Sequence, residues 1–245
     1  MSYFRIGLLM VLGLSSQMGY GEPEPDIWSR LPVAIGIKGL SQLEKRGVIY
    51  YPAWQVQPVF SVNLGSPNLQ LIGTELHMKK DLHEYLRIRG IADINVLPEA
   101  LYETESEEVV ELEQEQSHEF IGQVEFTPSP YFEIYGSVAQ DLKAHWGRFY
   151  TLTLQSVLAS FQTKTPLQIN FYFQGGSGDR RANDYFYAYS PGTVFSYYHA
   201  GLSLTAEPVI DKYFPVIRLY LSELTFGQEV NRDPIFEFIV AKRIF

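Results

Sequence analysis

The chain has 245 residues, 46% of them apolar and 15% aromatic, with no cysteine and a formal net charge of −9. Zero cysteines exclude a disulfide-stapled small domain, a lipid-modified cysteine and any thiolate metal site. The acidic balance argues against nucleic acid, which is bound by Lys and Arg neutralising phosphates. Outside the N-terminus no window approaches the roughly 18 consecutive apolar residues of a membrane helix, so contact with lipid has to be made by strands.

At the N-terminus, Arg5, the apolar run Ile6 to Leu14 and Gly19-Tyr20-Gly21 have the three-part layout of an export signal. Cleavage is predicted after Gly21, leaving a mature chain over 22–245; losing Arg5 takes the charge from −9 to −10. A Pro-rich acidic lead-in, Glu22 to Ser29, follows.

Val33, Ile35 and Ile37 alternate with Ala34, Gly36 and Lys38, which predicts a first strand. Gly39 to Gly47 reads as a polar loop. Tyr50 to Val62 is a second strand, with Pro52 and Pro58 marking an edge, an end or a bulge, and Asn63 to Asn68 is rich in turn formers. Leu69 to Met78 alternates weakly and is read as one strand. From Glu84 to Asp93, Leu86, Ile88, Gly90 and Ala92 oppose Arg87, Arg89, Ile91 and Asp93. An arginine facing lipid at mid-depth costs on the order of 2–4 kcal/mol. Arg87, Arg89 and Asp93 are therefore expected to face a wet interior.

Between Pro98 and Glu119 lie nine glutamates and no lysine or arginine. Like charges this dense repel one another, so disorder is expected. The other readings are a docking surface for a basic partner and a divalent-cation bridge to anionic headgroups. Phe120, Gly122, Val124 and Phe126 then alternate with Ile121, Gln123 and Glu125.

The stretch from Tyr131 to Ser160 is a hairpin in which Phe132, Ile134, Gly136 and Val138 oppose Glu133, Tyr135 and Ser137, and Leu152, Leu154 and Leu158 oppose Thr151, Thr153 and Gln155. Asp141 to Gly147 joins its arms. Each arm is near the 9–11 residues a tilted strand needs to cross a bilayer. Leu167 to Gln174 is the cleanest alternation, Gly175 to Arg181 a mobile loop without P-loop features, and Tyr185 to Tyr189 a short aromatic strand. Strands over 198–206 and 217–222 follow, and the last, Pro234 to Phe245, ends on an aromatic residue, as final strands of outer-membrane barrels do.

The expected fold is all-β: an antiparallel transmembrane β-barrel of the outer-membrane type with about 12 strands, in the range 10–12, aromatic at its strand ends. Twelve strands with both termini on one side place the acidic and Gly-rich segments on that same side. Barrels of this kind keep long loops on the opposite face, and a single miscounted strand reverses the assignment.

Several short motifs resemble the MipA/OmpV family of outer-membrane proteins. Leu86-Arg87-Ile88-Arg89-Gly90-Ile91-Ala92-Asp93 is similar to a family Leu-Arg-Gly segment ending in Asp. Asp141-Leu142 followed by His145 and Gly147 is similar to its Asp-Leu-x-x-His-x-Gly. Asn183-Asp184-Tyr185-Phe186, Tyr198-x-Ala200 and Asp233-Pro234-Ile235 resemble further stretches. The resemblance implies a non-enzymatic scaffold for a periplasmic murein hydrolase or synthase, embedded in outer-membrane lipid and lipopolysaccharide. The alternative is a small channel for ions or solutes. No cofactor, metal or nucleic acid is expected.

Catalytic chemistry finds little support. His199 and Ser203 share a strand face but stand four residues apart, roughly 13 Å at the rise of a strand, too far for base and nucleophile. Asp141 and His145 read either as a metal or proton-responsive loop site or as a turn held by side-chain hydrogen bonds, with Gly147 completing the motif. Arg87, Arg89, Asp93 and Glu133 are the lumen-facing candidates. They either line a pore or pair across a filled lumen, where Glu125 and Glu133 are the available partners.

Overall fold

The computed structural model describes residues 33–41, 43–46, 48–51, 54–66, 68–73, 75–93, 100–103, 109–112, 117–161, 167–187, 196–206, 213–224 and 234–244. The predicted export signal and the terminal Phe245 lie outside them. The strands are β1 (Val33–Leu40), β2 (Leu43–Lys45), β3 (Val48–Tyr51), β4 (Gln55–Ser66), β5 (Leu69–Ile72), β6 (Glu75–His83), β7 (Leu86–Asp93), β8 (Ala100–Glu103) and β9 (Val109–Leu112). They continue with β10 (Glu119–Ser129), β11 (Phe132–Asp141), β12 (Arg148–Phe161), β13 (Leu167–Gly178), β14 (Tyr197–Ala206), β15 (Tyr213–Leu224) and β16 (Ile235–Arg243), with one helix, α1 (Arg180–Tyr187), between β13 and β14.

Twelve strands form a closed antiparallel barrel in the order β1-β16-β15-β14-β13-β12-β11-β10-β7-β6-β5-β4, while β2-β3 and β8-β9 are separate hairpins. Closure runs through the first and last strands, where Gly36 is opposite Ala241 and Ile37 opposite Val240. Pro58 is accommodated because β4 pairs with β5 only from Ser61 onward, so it lies where β4 has β1 as its ladder partner.

The alternation read from the sequence becomes two faces. Ile35, Val124, Leu152, Leu202 and Leu219 point outward and are exposed. Their strand neighbours Ala34, Glu125, Thr153 and Ser203 are buried inside. An apolar exterior around a polar interior is the pattern of a barrel solvated by lipid. Aromatic side chains form two exposed rims: Tyr85, Phe126, Tyr131 and Phe161 at one end, Trp54, Phe120, Trp146 and Tyr150 at the other. Along β12, Tyr150 and Phe161 are about ten strand steps apart once the bulge near Leu158 is discounted. That is roughly 33 Å of strand, or roughly 25 Å along an axis tilted by about 40°, matching the apolar band of such barrels.

On β16, Phe236, Phe238 and Val240 take the outward face while Ile235, Glu237, Ile239 and Ala241 are buried inside. The pairing of β16 with both neighbours runs without a register shift.

Several expectations are corrected. Leu69 to Met78 is two strands, β5 and β6, because Gly73 at φ 54° turns the chain between them. Tyr185 to Tyr189 is not a strand: Arg180–Tyr187 is helical, and the Gly175 to Gly178 stretch belongs to β13 rather than to a mobile loop. Inside the expected polar loop, Leu43–Lys45 pairs with β3. Within the acidic block, expected to be disordered, Ala100–Glu103 pairs with Val109–Leu112 as a hairpin, and Glu119 opens β10.

Two of these errors cancel in the strand total but not in sidedness. Five barrel strands precede the acidic segment, not four. The β8-β9 hairpin therefore lies at the mouth opposite the termini, together with the β2-β3 hairpin and α1. The terminal mouth carries the short turns and the closing bond from Ile244 N to the Val33 carbonyl, 3.0 Å.

Candidate functional site: a charged lumen and its capped mouth

Because successive side chains alternate, every second residue of β6, β7, β10 and β11 enters the lumen. Register puts Glu75 opposite Asp93, Asp93 opposite Glu119 and Glu119 opposite Asp141, a row of carboxylates across four neighbouring strands. Two lumenal levels toward the termini, past Ile91, the sign reverses. Arg89 Nε lies 2.7 Å from Glu125 Oε1, and Arg87 pairs with Asp81 at 2.6 Å and Glu125 at 3.4 Å. The lumen-facing candidates Arg87, Arg89 and Asp93 thus all point inward, the two arginines converging on Glu125. Glu133 is also lumenal, accepting from Thr127 Oγ1 at 3.4 Å. On the far wall Lys38 Nζ meets Glu237 Oε2 at 3.3 Å.

Exposure is graded along this column. Asp93, Glu119 and Asp141 near the far mouth are at most 2% exposed, whereas the side chains of Arg87 and Asp81 near the termini are 33% and 66% exposed. Among the described residues, Arg87 and Asp81 are the accessible charges toward the terminal mouth, and the charges at the other mouth are covered.

The seal is built from the Asp141 loop upward. Asp141 Oδ1 accepts from Ser117 Oγ at 2.7 Å and His118 N at 3.2 Å. Its Oδ2 accepts from the backbone N–H groups of Lys143, His145 and Trp146 at 3.2, 2.6 and 2.9 Å. One carboxylate thus satisfies the donors of a whole turn. His145 Nδ1 accepts from Gly147 N at 2.9 Å, which assigns the ring proton to Nε2 in the neutral form. The imidazole packs against Tyr185 at a tilt of 34°, 4.6 Å between centroids, with Phe186 edge-on at 5.6 Å. Burial lowers the His145 pKa, and the nearby Arg46 charge adds to this; Asp141 opposes the shift but does not reverse it. A Cβ on Gly147 would stand 2.5 Å from Ala182 N, so only glycine lets α1 dock here. The Asp141, His145, Gly147 motif is a turn that seats a helix. Among the described residues no cluster of three or more acidic or histidine side chains suits a metal ion.

α1 is capped by Asp179, whose Oδ1 accepts from Ala182 N at 3.0 Å and whose Oδ2 accepts from Arg148 N at 2.9 Å. Asn183 Nδ2 donates to the Gly178 carbonyl, and Ser196 Oγ donates to Asn183 Oδ1. So held, the helix pushes Ala182 and Phe186 into the barrel mouth against Leu40, Ala139, Phe149 and Tyr197. Gly176 leaves room for the Tyr197 ring, which stacks on Phe149 at 5.8 Å.

The last piece is Arg46, at the turn between β2 and β3 with φ 57°. Its guanidinium carbon sits 4.2 Å from the Phe149 ring centroid and 4.4 Å from that of Phe186. Nη2 contacts Glu119 at 2.8 and 2.9 Å, and the Arg46 carbonyl accepts from Tyr187 Oη at 2.8 Å. Burial alone lowers its pKa, but Glu119, Tyr197 and Tyr187 outweigh burial, and the group stays charged. Nη1 has no hydrogen-bond acceptor among the described residues.

Sequence reasoning missed Arg46, Phe149, Phe186 and Tyr197. The signal for α1 was present: Asp179 followed by a run of non-β-branched residues is a helix start. Nothing local announces Arg46, whose partners are 73 and more residues away.

His199 is lumenal, hydrogen-bonded to Gln174 with Tyr197 Oη donating to the same oxygen. Ser203 meets Asn170 instead, and the two are not brought together.

No family model and no curated protein matches this chain. Among solved structures, one described as a KdgM porin superposes with TM-score 0.48 and 7% identity over 86% of this chain and 99% of its own. A NanC porin structure superposes with TM-score 0.44 and 10% identity over 84% and 97%.

Proposed function

We propose that the protein is a narrow channel of the Gram-negative outer membrane, with a vestibule open toward the periplasm and a cap at the outer mouth. The observation that carries this reading is the graded lumen: paired charges with rising exposure toward the terminal mouth, inside an apolar, aromatic-rimmed wall. A barrel serving as a scaffold alone has no need of such a charged column, and an apolar filling there stabilises as well or better.

The cap is the gate of this reading. Arg46 ties the β2-β3 hairpin to the β10 wall through Glu119 and to α1 through Phe186, so releasing one contact loosens both covering elements. The test is conductance of refolded protein in planar bilayers, with small discrete steps as the expected outcome. Silent bilayers, together with retention of a murein hydrolase or synthase from periplasmic extract, would replace this reading with the scaffold that the MipA/OmpV resemblance implies.

A further inference from the structure

Outside the capped mouth, the chain keeps a basic cleft in an otherwise acidic protein. It is about 380 Å³ in volume and is lined by Gln140, Trp146, Arg148, Asp179, Arg180 and Arg181. Its floor is prepared. Gln140 Nε2 donates to the carbonyls of Asp141 and Trp146, leaving its Oε1 to accept from Arg148 Nε at 3.0 Å, which holds that guanidinium at the cleft. The acidic lining residue is spoken for, since both oxygens of Asp179 accept backbone N–H groups. Arg180 has Asp184 at 3.7 Å with its side chain 87% exposed, and Arg181 is exposed without an ion pair or hydrogen bond among the described residues.

Position decides what this cleft meets. Arg148 and Tyr150 lie on the outward face of β12, and the exposed Trp146 and Tyr150 belong to the outer aromatic rim. Aromatic rims sit at headgroup depth. Arg148 at that depth lines one cleft with the exposed Arg180 and Arg181, and their guanidiniums match phosphate oxygens, which arginine binds in a fork. We propose that the cleft formed by Arg148, Arg180, Arg181 and Trp146 is a seat for a phosphorylated glycolipid headgroup of the outer leaflet, the phosphate on the arginines and the sugar against the indole.

The test is native mass spectrometry and microscale binding of the folded, detergent-solubilised full-length barrel with three probes: lipid A, the same lipid A after phosphatase treatment, and inorganic phosphate. Wild type is expected to bind lipid A at least about tenfold more tightly than the R148A/R180A/R181A variant does, at roughly a factor of several per cation near an anionic surface. Dephosphorylated lipid A should bind wild type no better than intact lipid A binds the triple variant. The R148K/R180K/R181K variant, which keeps the charge, should recover part of the loss. Equal affinity of wild type and the alanine variant overturns the proposal, as does indifference to the phosphates. Full competition by inorganic phosphate at the affinity of lipid A also overturns it, because the seat is then for the free ion. Heat-modifiability on gels checks that each variant is folded.

Discussion

The guanidinium of Arg46 lies over the rings of both Phe149 and Phe186, 4.2 and 4.4 Å from their centroids, where the two rings meet edge to face, and Glu119 completes its ion pair. Three remote parts of the chain, a hairpin turn, a barrel wall and a helix, meet at this one side chain. Its removal breaks a buried pair, a change that costs roughly 3–5 kcal/mol in other proteins. R46A is expected to leave the barrel folded but to raise amide exchange in α1 and in residues 43–51, and to increase open-channel time. R46M, which covers the same two rings without charge, should restore part of the protection. Unchanged exchange in R46A would show that the cap is held by other contacts.

The Asp141 turn should behave as a single unit. D141A strips the acceptor from Ser117 Oγ and four backbone donors. Each hydrogen bond to a charged group contributes about 1.5–3 kcal/mol, and their shared loss is less than additive, so a loss of roughly 3 kcal/mol is expected in urea unfolding. D141N keeps the shape and should lose less.

Gly147→Ala is expected to unseat the helix rather than the barrel. The new methyl group meets Ala182 N and Asp179 Oδ1 at 2.5 and 2.7 Å. Near-UV circular dichroism from the Tyr185, Phe186 and Phe149 cluster should fall, while strand content in the far-UV stays constant.

Acidification should loosen the same turn. His145 has a lowered pKa in the folded chain, through burial first and Arg46 second, against the opposing pull of Asp141, Glu119 and Asp179. The unfolded turn takes up a proton at higher pH than the folded one. The stabilisation is therefore complete above the unfolded value of about 6.5 and declines as pH falls below it toward the folded pKa. Amide exchange at 142–147 should rise between about pH 6.5 and pH 5 in wild type and be flatter in H145Q.

Leu152 and Thr153 are neighbours with opposite surroundings, the first 43% exposed on the outer face and the second fully buried inside. Leu152→Arg, next to the Tyr150 rim, should reduce folding into vesicles by about 1 kcal/mol, and Leu202→Arg, near mid-depth, by roughly 2–4 kcal/mol. Equal folding efficiency of L202R and wild type in vesicles would contradict lipid contact on this face.

The two faces of each barrel strand were legible because period two is a local property and survives whatever the loops do. Arg87 and Arg89 could be placed in the lumen by cost alone, before any partner was known. Sidedness was not legible, since it depends on parity. Leu69 to Met78 hid a turn at Gly73, and Tyr185-Phe186-Tyr187 carried the composition of a strand inside a helix. Aromatic residues favour strands on average, yet here Asp179 caps the segment and the Asp141 turn gives its rings a place to pack, so tertiary contact overrides propensity. The acidic block was misjudged for a related reason. Charge repulsion was read without weighing Val109-Val110 and Ala100-Leu101, the apolar pairs at which the hairpin forms.

The seam between β1 and β16 joins residues about two hundred positions apart, with Ala34 opposite Arg243. A ribosome-ordered chain therefore has no finished wall until β16 arrives, and until then both rims of the sheet offer bare ladder groups to any neighbour. Deleting β16 does not shorten the cylinder; it unzips it, leaving an open sheet whose greasy side has nowhere to curl.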